Sequence, residues 1–213
     1  MSDIVIIVEP EQPLDAPHIQ AMRAAIAAAT ERSVRLLPSS LALVGEPNAV
    51  YCPLTLELPS ALQTPVSQAC QDVTGLRRWV EDTLGYPSGR GDLWLPVVLT
   101  ARGPLYAEAI TRDVATDSYR QPFHLSDDRR QPLYRLAYEL LAHLDAPPSV
   151  YLLQLARQES GLYFDRLWPF PTASAIASQG VQTPDLFACH WRCLTKEPIL
   201  DLYIPGRYAT AFP

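Results

Sequence analysis

The alternation of apolar and polar positions changes period several times along this chain, and each change marks an element. Residues 3–8, Asp-Ile-Val-Ile-Ile-Val, form a continuous β-branched run, the pattern of a buried strand. Asp15 stands where a helix cap is expected, with Pro17 in the first turn. Ile19, Met22 and Ile26 then recur at helical spacing and predict one inward-facing stripe. Ser33 to Leu37 reads as a second strand, which makes a β-α-β start. Beyond it the pattern blurs. Val50 to Cys52 and Leu54 to Leu58 predict short strands broken by Pro53 and Pro59, and Pro65–Val73 and Leu76–Leu84 predict short helices. The segment Gly85-Tyr-Pro-Ser-Gly-Arg-Gly91 reads as a loop, the expected flexible point and a soft boundary within a single compact domain of residues 1–213.

The second half is more regular. Leu93–Thr100 and Leu105–Ile110 predict two strands joined through Ala101-Arg-Gly-Pro104. Arg129 to Leu144 predicts a helix with Leu133, Leu136, Leu140, Leu141 and Leu144 on one side, and Asp127 and Asp128 favour its N-terminal end. Val150–Ala156 and Leu162–Leu167 predict a hairpin around Glu159-Ser-Gly161. Thr183-Pro184-Asp185 predicts the start of a last helix reaching about Leu194, with Thr183 as cap, and Ile199–Ile204 a final strand. Antiparallel hairpins separated by helices that pack on one face define an α+β protein.

Composition narrows the chemistry. The chain has 213 residues, 48% hydrophobic, enough for a proper core, and a formal charge of -6 that disfavours binding to phosphate backbones. No apolar run approaches the ~20 residues that span a bilayer, and the acidic Met1-Ser2-Asp3 start is unlike a signal peptide. A cytoplasmic protein without membrane insertion is expected. Sixteen of the 17 basic residues are arginine, leaving Lys196 as the single lysine, with no G-x-x-x-x-G-K around it. That excludes Walker-type nucleotide hydrolysis. The 21 prolines against 9 glycines make stiff rather than flexible breaks.

Three constellations could carry function. Cys189-His-Trp-Arg-Cys193 puts two thiols on one helix face with His190 beside them, which suits zinc if two more ligands join, or a plain buried stripe. Glu108 and Asp165 each interrupt an apolar strand. Strand alternation could bring them to one sheet face as a divalent-metal pair, or leave each solvated or paired with Arg112 or Arg166. Asp165-Arg-Leu-Trp-Pro-Phe-Pro171 holds Trp168 and Phe170 between prolines, as interface anchors or as a lid folded onto the core. Tyr119-Arg-Gln-Pro-Phe-His124 has the same character.

Two resemblances follow from these segments. Leu136 to Pro171, under a fifth of the chain, runs helix, Asp-Ala-Pro-Pro, strand, turn, strand, then Phe164-Asp-Arg-Leu-Trp-Pro-Phe-Pro171. It resembles the metal-binding end of ATP-grasp ligases, where a hairpin ends in an acidic-x-Asn-Pro motif. On that resemblance Asp165 matches the acidic residue, Leu167 stands at the Asn, and Gln154 stands at the earlier strand acid. The family's nucleotide-contacting lysines have no counterpart before Lys196. What the resemblance implies is a shared fold with its magnesium and ATP chemistry dismantled. Phe164-Asp-Arg-Leu167, Pro169-Phe-Pro171, Val181-Gln-Thr-Pro-Asp-Leu-Phe187 and Cys189-His-Trp191 also resemble a family of cyanobacterial proteins, which implies a setting near photosynthetic metabolism.

Two functional expectations result. The first is a non-enzymatic factor that binds another protein through Trp168, Phe170, Tyr119, Arg120 and Arg166. The second is a degenerate ATP-grasp-like enzyme that binds a nucleotide or small molecule, with Glu108 and Asp165 on a divalent metal. A zinc protein built on Cys189, His190 and Cys193 is a third.

Overall fold

The computed structural model describes residues 4–42, 49–159 and 161–205, so Asp3 at the first strand and Ser160 in the hairpin turn lie outside the described residues. The chain is α+β and carries two sheets. The smaller is parallel, with β1 (Ile4–Val8) between β2 (Val34–Pro38) and β3 (Val50–Pro53). All five residues of β1 are buried, as a central parallel strand requires. Helix α1 (Pro17–Ala29) buries Ile19, Met22 and Ile26, the expected stripe. Its N-cap is Ala16 rather than Asp15 and makes no side-chain bond, so Pro17, with φ preset for the first turn, carries the initiation. Leu54 donates to the Ile7 carbonyl at 2.8 Å, but the strand expected over Leu54–Leu58 does not form. Thr55 Oγ1 accepts the Glu57 amide at 3.0 Å and turns the chain away.

Helices α2 (Pro65–Gln71) and α3 (Val73–Trp79), the latter continued by a π-helical turn to Leu84, lead into the larger sheet. Thr64 and Ser67 cap α2 reciprocally, at 3.1 and 2.8 Å. The larger sheet is mostly antiparallel: β4 (Leu93–Thr100), β5 (Gly103–Tyr106), β6 (Ala109–Asp113), β7 (Ser118–Phe123), β8 (Ser149–Gln158) and β9 (Gly161–Trp168). Its order is β7-β6-β4-β8-β9, with β5 also on β4. The strand expected over Leu105–Ile110 is therefore two. Ala107 donates to the Pro96 carbonyl at 3.0 Å, but Pro96 has no amide to return, and pairing lapses over Ala107 and Glu108. Tyr119–Phe123, expected as a stiff loop, lies within β7, an edge strand where Pro122 is tolerated.

Helix α4 (Asp127–His143) follows β7, and α5 (Leu186–Thr195) closes the fold. The cap of α5 is Asp185, not Thr183: its carboxylate accepts the Phe187 and Ala188 amides, both at 2.9 Å. Thr183 instead forms an isolated bridge with Tyr203. That bridge is all that exists of the strand expected over Ile199–Ile204, which has no neighbouring strand to continue on.

Helices cover both faces of the larger sheet rather than one. Leu93, Leu95 and Val97 of β4, with Tyr151, Leu153 and Leu155 of β8, pack against α2, α3 and α4. Trp94, Val98, Val150 and Leu152 point the other way, into a core shared with β1, α1 and α5. Gly85–Gly91 is not a loose tether. Gly89 N donates to Phe164 O and Phe164 N to Pro87 O, both at 2.9 Å, so the loop is laced to β9. Among the described residues no helix is long and apolar enough to cross a membrane.

Candidate functional site

A cleft of about 540 Å³ opens between the two sheets. One wall is chain that has just left the carboxyl ends of parallel strands: Glu9 and Gln12 after β1, Leu54 to Glu57 after β3, with His18 of α1. Ligands of open α/β sheets collect at this kind of edge, where strand ends and loop backbone are exposed together. The other wall is the larger sheet, through Trp94, Tyr119, Gln154, Arg166 and Trp168, with Phe170 at the end of β9.

The sheet wall is aromatic and internally braced. Trp94 and Tyr119 meet edge to face, with ring centroids 5.4 Å apart. Trp168 contacts Phe170 at 6.1 Å and lies under the Arg166 guanidinium at 5.3 Å. Its indole N–H donates to Gln154 Oε1 at 2.8 Å, and Gln154 Nε2 donates to the Gly91 carbonyl at 2.6 Å. Both ends of that amide are thus engaged. Burial pushes the His18 imidazole below its ordinary pKa, favouring the neutral form.

Asp165 is absent from this wall for a reason seen in the strand register. Gln154 pairs with Arg166 and Leu155 with Phe164, so Asp165 is the extra residue of a β-bulge. The bulge aims it at α3 and the Gly85–Gly91 loop. Its Oδ1 pairs with Arg77 and its Oδ2 accepts the Gly91 amide at 2.9 Å, while Arg77 Nε donates to the Asp165 carbonyl at 2.8 Å. With the residue 3% exposed, this carboxylate is an internal tie rather than a solvated group, and the expected pairing with Arg166 is present as well, Arg166 Nε lying 3.5 Å from Oδ1.

Glu108 sits elsewhere. It occupies the break between β5 and β6, lines a separate hollow of about 320 Å³, and lies 3.7 Å from Arg130, while Arg112 pairs with Asp117. The edge where it lies is three strand positions from β9, about 14 Å across the sheet. The expected metal pair of Glu108 and Asp165 is not assembled.

The remaining candidates separate likewise. Arg120 pairs with Asp113 at 2.5 Å, is largely exposed and is not part of the cleft wall. Phe170, expected either as an anchor or as a lid, is 5% exposed and packs in the core while its surface borders the cleft. Cys189, His190 and Cys193 are all buried. Cys189 Sγ lies 3.5 Å from Pro184 O and Cys193 Sγ 3.6 Å from Leu99 O. Burial pushes the Cys193 thiol up to about 11 and Cys189 higher still, away from the thiolate zinc requires. Among the described residues no three His, Cys, Asp or Glu side chains gather where they could hold a metal ion. Trp94, His18, Gln154 as a brace and Arg77 as Asp165's partner were not singled out by the sequence. Nothing local to them signals the cleft.

No family model and no curated protein matches the sequence. Solved structures do. Glycinamide-RNase-transformylase T from Mycobacterium tuberculosis superposes with a TM-score of 0.68 at 15% identity, over 95% of this chain and 82% of its own. Carboxyaminoimidazole ribonucleotide synthase from Aspergillus clavatus, complexed with ATP, gives 0.68 at 9% identity, over 93% and 78%. An L-amino acid ligase from Bacillus licheniformis gives 0.63 at 9%, over 93% and 76%. These neighbours are ATP-grasp enzymes, and what this chain shares with them is the fold.

Magnesium does not fit the residues present. Of the two positions matched to the family's strand acids, one is Gln154, with both amide ends bonded, and the other is Asp165, held by Arg77 and Gly91. Lys196, the single lysine, lies at the end of α5 and is not among the cleft residues.

Proposed function

We propose that this chain is a small-molecule-binding protein on the ATP-grasp fold, whose inter-sheet cleft receives a planar ligand without a magnesium ion. The carrying observation is the cleft: about 540 Å³, within the range of ligand sites, with a braced aromatic wall opposite polar loop ends. Trp168 and Tyr119 offer ring faces for stacking, and Arg166 places a cation at the same wall. The opposite wall supplies carboxylates, amides and the Thr55 hydroxyl for the ligand's polar edge.

This reading favours the second of the two functional expectations over the first. Two residues expected at a protein interface argue against that use: Phe170 is in the core, and Arg120 is apart from Trp168. A nucleotide heads the list of ligands to try, because one neighbour of the same fold is complexed with ATP.

Tryptophan fluorescence titrations with ATP, ADP and adenosine, each with magnesium and with EDTA, test the proposal. The expected result is quenching that is indifferent to magnesium and at least about tenfold weaker in Trp168→Ala, the scale of one lost stacking contact. Strictly magnesium-dependent binding would overturn the metal-free reading. Native mass spectrometry of protein from its own cells, showing a second polypeptide and no small ligand, would restore the protein-binding one.

A further inference from the structure

Two polar side chains are buried in the loop wall of the cleft, and they differ in what they have left to offer. Thr55 Oγ1 is taken by the Glu57 amide at 3.0 Å. His18 is 8% exposed, and among the described residues neither of its ring nitrogens has a hydrogen-bond partner. Both nitrogens keep accessible surface, unlike the sealed Nε2 of His190. Burial favours the neutral imidazole, which has one accepting nitrogen and one N–H in either tautomer. An acceptor is therefore open here whichever tautomer is adopted.

Charge on the cleft walls is unbalanced. Glu9 and Glu57 follow the carboxyl ends of β1 and β3 on the same wall as His18. Both are exposed, and among the described residues neither carboxylate has a cation or a hydrogen-bond donor beside it. Opposite them stands the Arg166 guanidinium, whose charge is shared with Asp165 at 3.5 Å. Two carboxylates against one guanidinium leave the cleft negative. Its aromatic wall already carries a planar cation, since Arg166 lies over the Trp168 ring, 5.3 Å from the centroid.

We propose that the cleft selects a planar organic cation bearing N–H groups, an amidinium or a protonated amino-heteroaromatic ring. It would stack on the aromatic wall, turn its charge toward Glu9 and Glu57, and donate an N–H to His18. This inference rests on the cleft being a ligand site and names the class of ligand it takes. The preference is opposite to that of a polyphosphate site, because phosphates would meet two carboxylates with no lysine in the cleft.

Benzamidine, benzamide and benzoate share one outline and are respectively cationic, neutral and anionic at neutral pH. Each is titrated at low salt into full-length, uniformly ¹⁵N-labelled protein. The Trp168 indole resonance reads occupancy of the cleft, and the His18 ring nitrogens read the polar contact. Benzamidine is expected to bind about tenfold tighter than benzoate, with benzamide between them. That is the scale of reversing one charge within a Debye length of an unneutralised carboxylate. Benzamidine should also move the His18 resonances. In the double variant Glu9→Gln with Glu57→Gln, two exposed positions, the three affinities should converge to within about twofold. Equal or reversed affinities in the wild type would overturn the charge selection, as would an order that survives in the double variant. Benzamidine bound with His18 unmoved would overturn the histidine contact. Those outcomes leave the cleft standing as a ligand site. Failure of all three probes to move the Trp168 indole would instead overturn the site itself, and this inference with it.

Discussion

The two faces of the larger sheet are built from the same strands and used differently. On one, alternate residues of β4 and β8 meet α2, α3 and α4 in a dense apolar cluster. On the other, the intervening residues meet a cover assembled from a separate parallel sheet, α1 and α5. A helix row follows the sheet surface closely. A second sheet meets it along only part of its length, and the remainder is the cleft. At β9 a single bulge sends Asp165 to the packed side and Arg166 and Trp168 to the open side. If the cleft binds the proposed ligand, perturbations of the packed Asp165 side and of ligand binding should separate.

The largest effect is expected at Gly91, where the packed side closes. A Cβ there would overlap the Leu155 carbonyl oxygen and the Ala156 backbone. Gly91→Ala should destabilise by about 3 kcal/mol or more, read by urea unfolding, because backbone cannot move aside as a flexible side chain would. A neutral substitution would mean that the loop is not held against β8.

Asp165→Asn comes next. It leaves the shape but removes the charge facing Arg77 and should cost about 2–3 kcal/mol. The figure stays below that for a fully buried pair because 22% of the Arg77 side chain remains exposed. Cleft affinity should change by no more than about threefold, through the long 3.5 Å contact of Asp165 with Arg166 of the cleft wall. A tenfold loss of cleft binding in Asp165→Asn would erase the separation of the two faces.

Acid should act through the cleft-side core. Burial pushes His190 down to about 3 and His18 below its ordinary value, so both are neutral in the native state. The unfolded chain takes up their protons near pH 6.5. Their contribution is therefore complete above that value and lost as pH falls from about 6.5 toward 3, at about 1.4 kcal/mol per unit for a fully buried imidazole. Urea midpoints between pH 7 and 5 should fall in the wild type and flatten in His190→Phe. An unchanged slope in that variant would place the acid sensitivity in other groups.

Much of the scaffold was legible in the sequence. The β-branched run of β1, the Ile19-Met22-Ile26 stripe of α1, the leucine stripe of α4 and the β8–β9 hairpin are local signals, since burial imposes period on neighbouring residues. The errors fell where a distant partner decided the outcome. Edge pairing with β6 made β7 from a proline-containing loop sequence, and Ile199–Ile204 is limited to the one bridge of Tyr203 with Thr183.

The candidate site was half legible. Trp168, Tyr119 and Arg166 stood out by chemistry, and they do line one wall. Their common location required β7 and β9 to flank the same sheet, and the opposite wall required a second sheet to dock across it. Glu108 and Asp165 were grouped because alternation assigns faces by parity. A one-residue bulge reverses that parity without any composition signal.

By itself, the sequence determined the α+β class, most of the elements and the residue chemistry available to the molecule. Those depend on periodicity and on the kinds of side chain present. Tertiary structure alone decided that Asp165 is a brace, that Gln154 is held between Trp168 and Gly91, and that His190 is buried against Ser149. These depend on which groups meet across 14 to 88 residues of chain, and no local pattern encodes such a meeting.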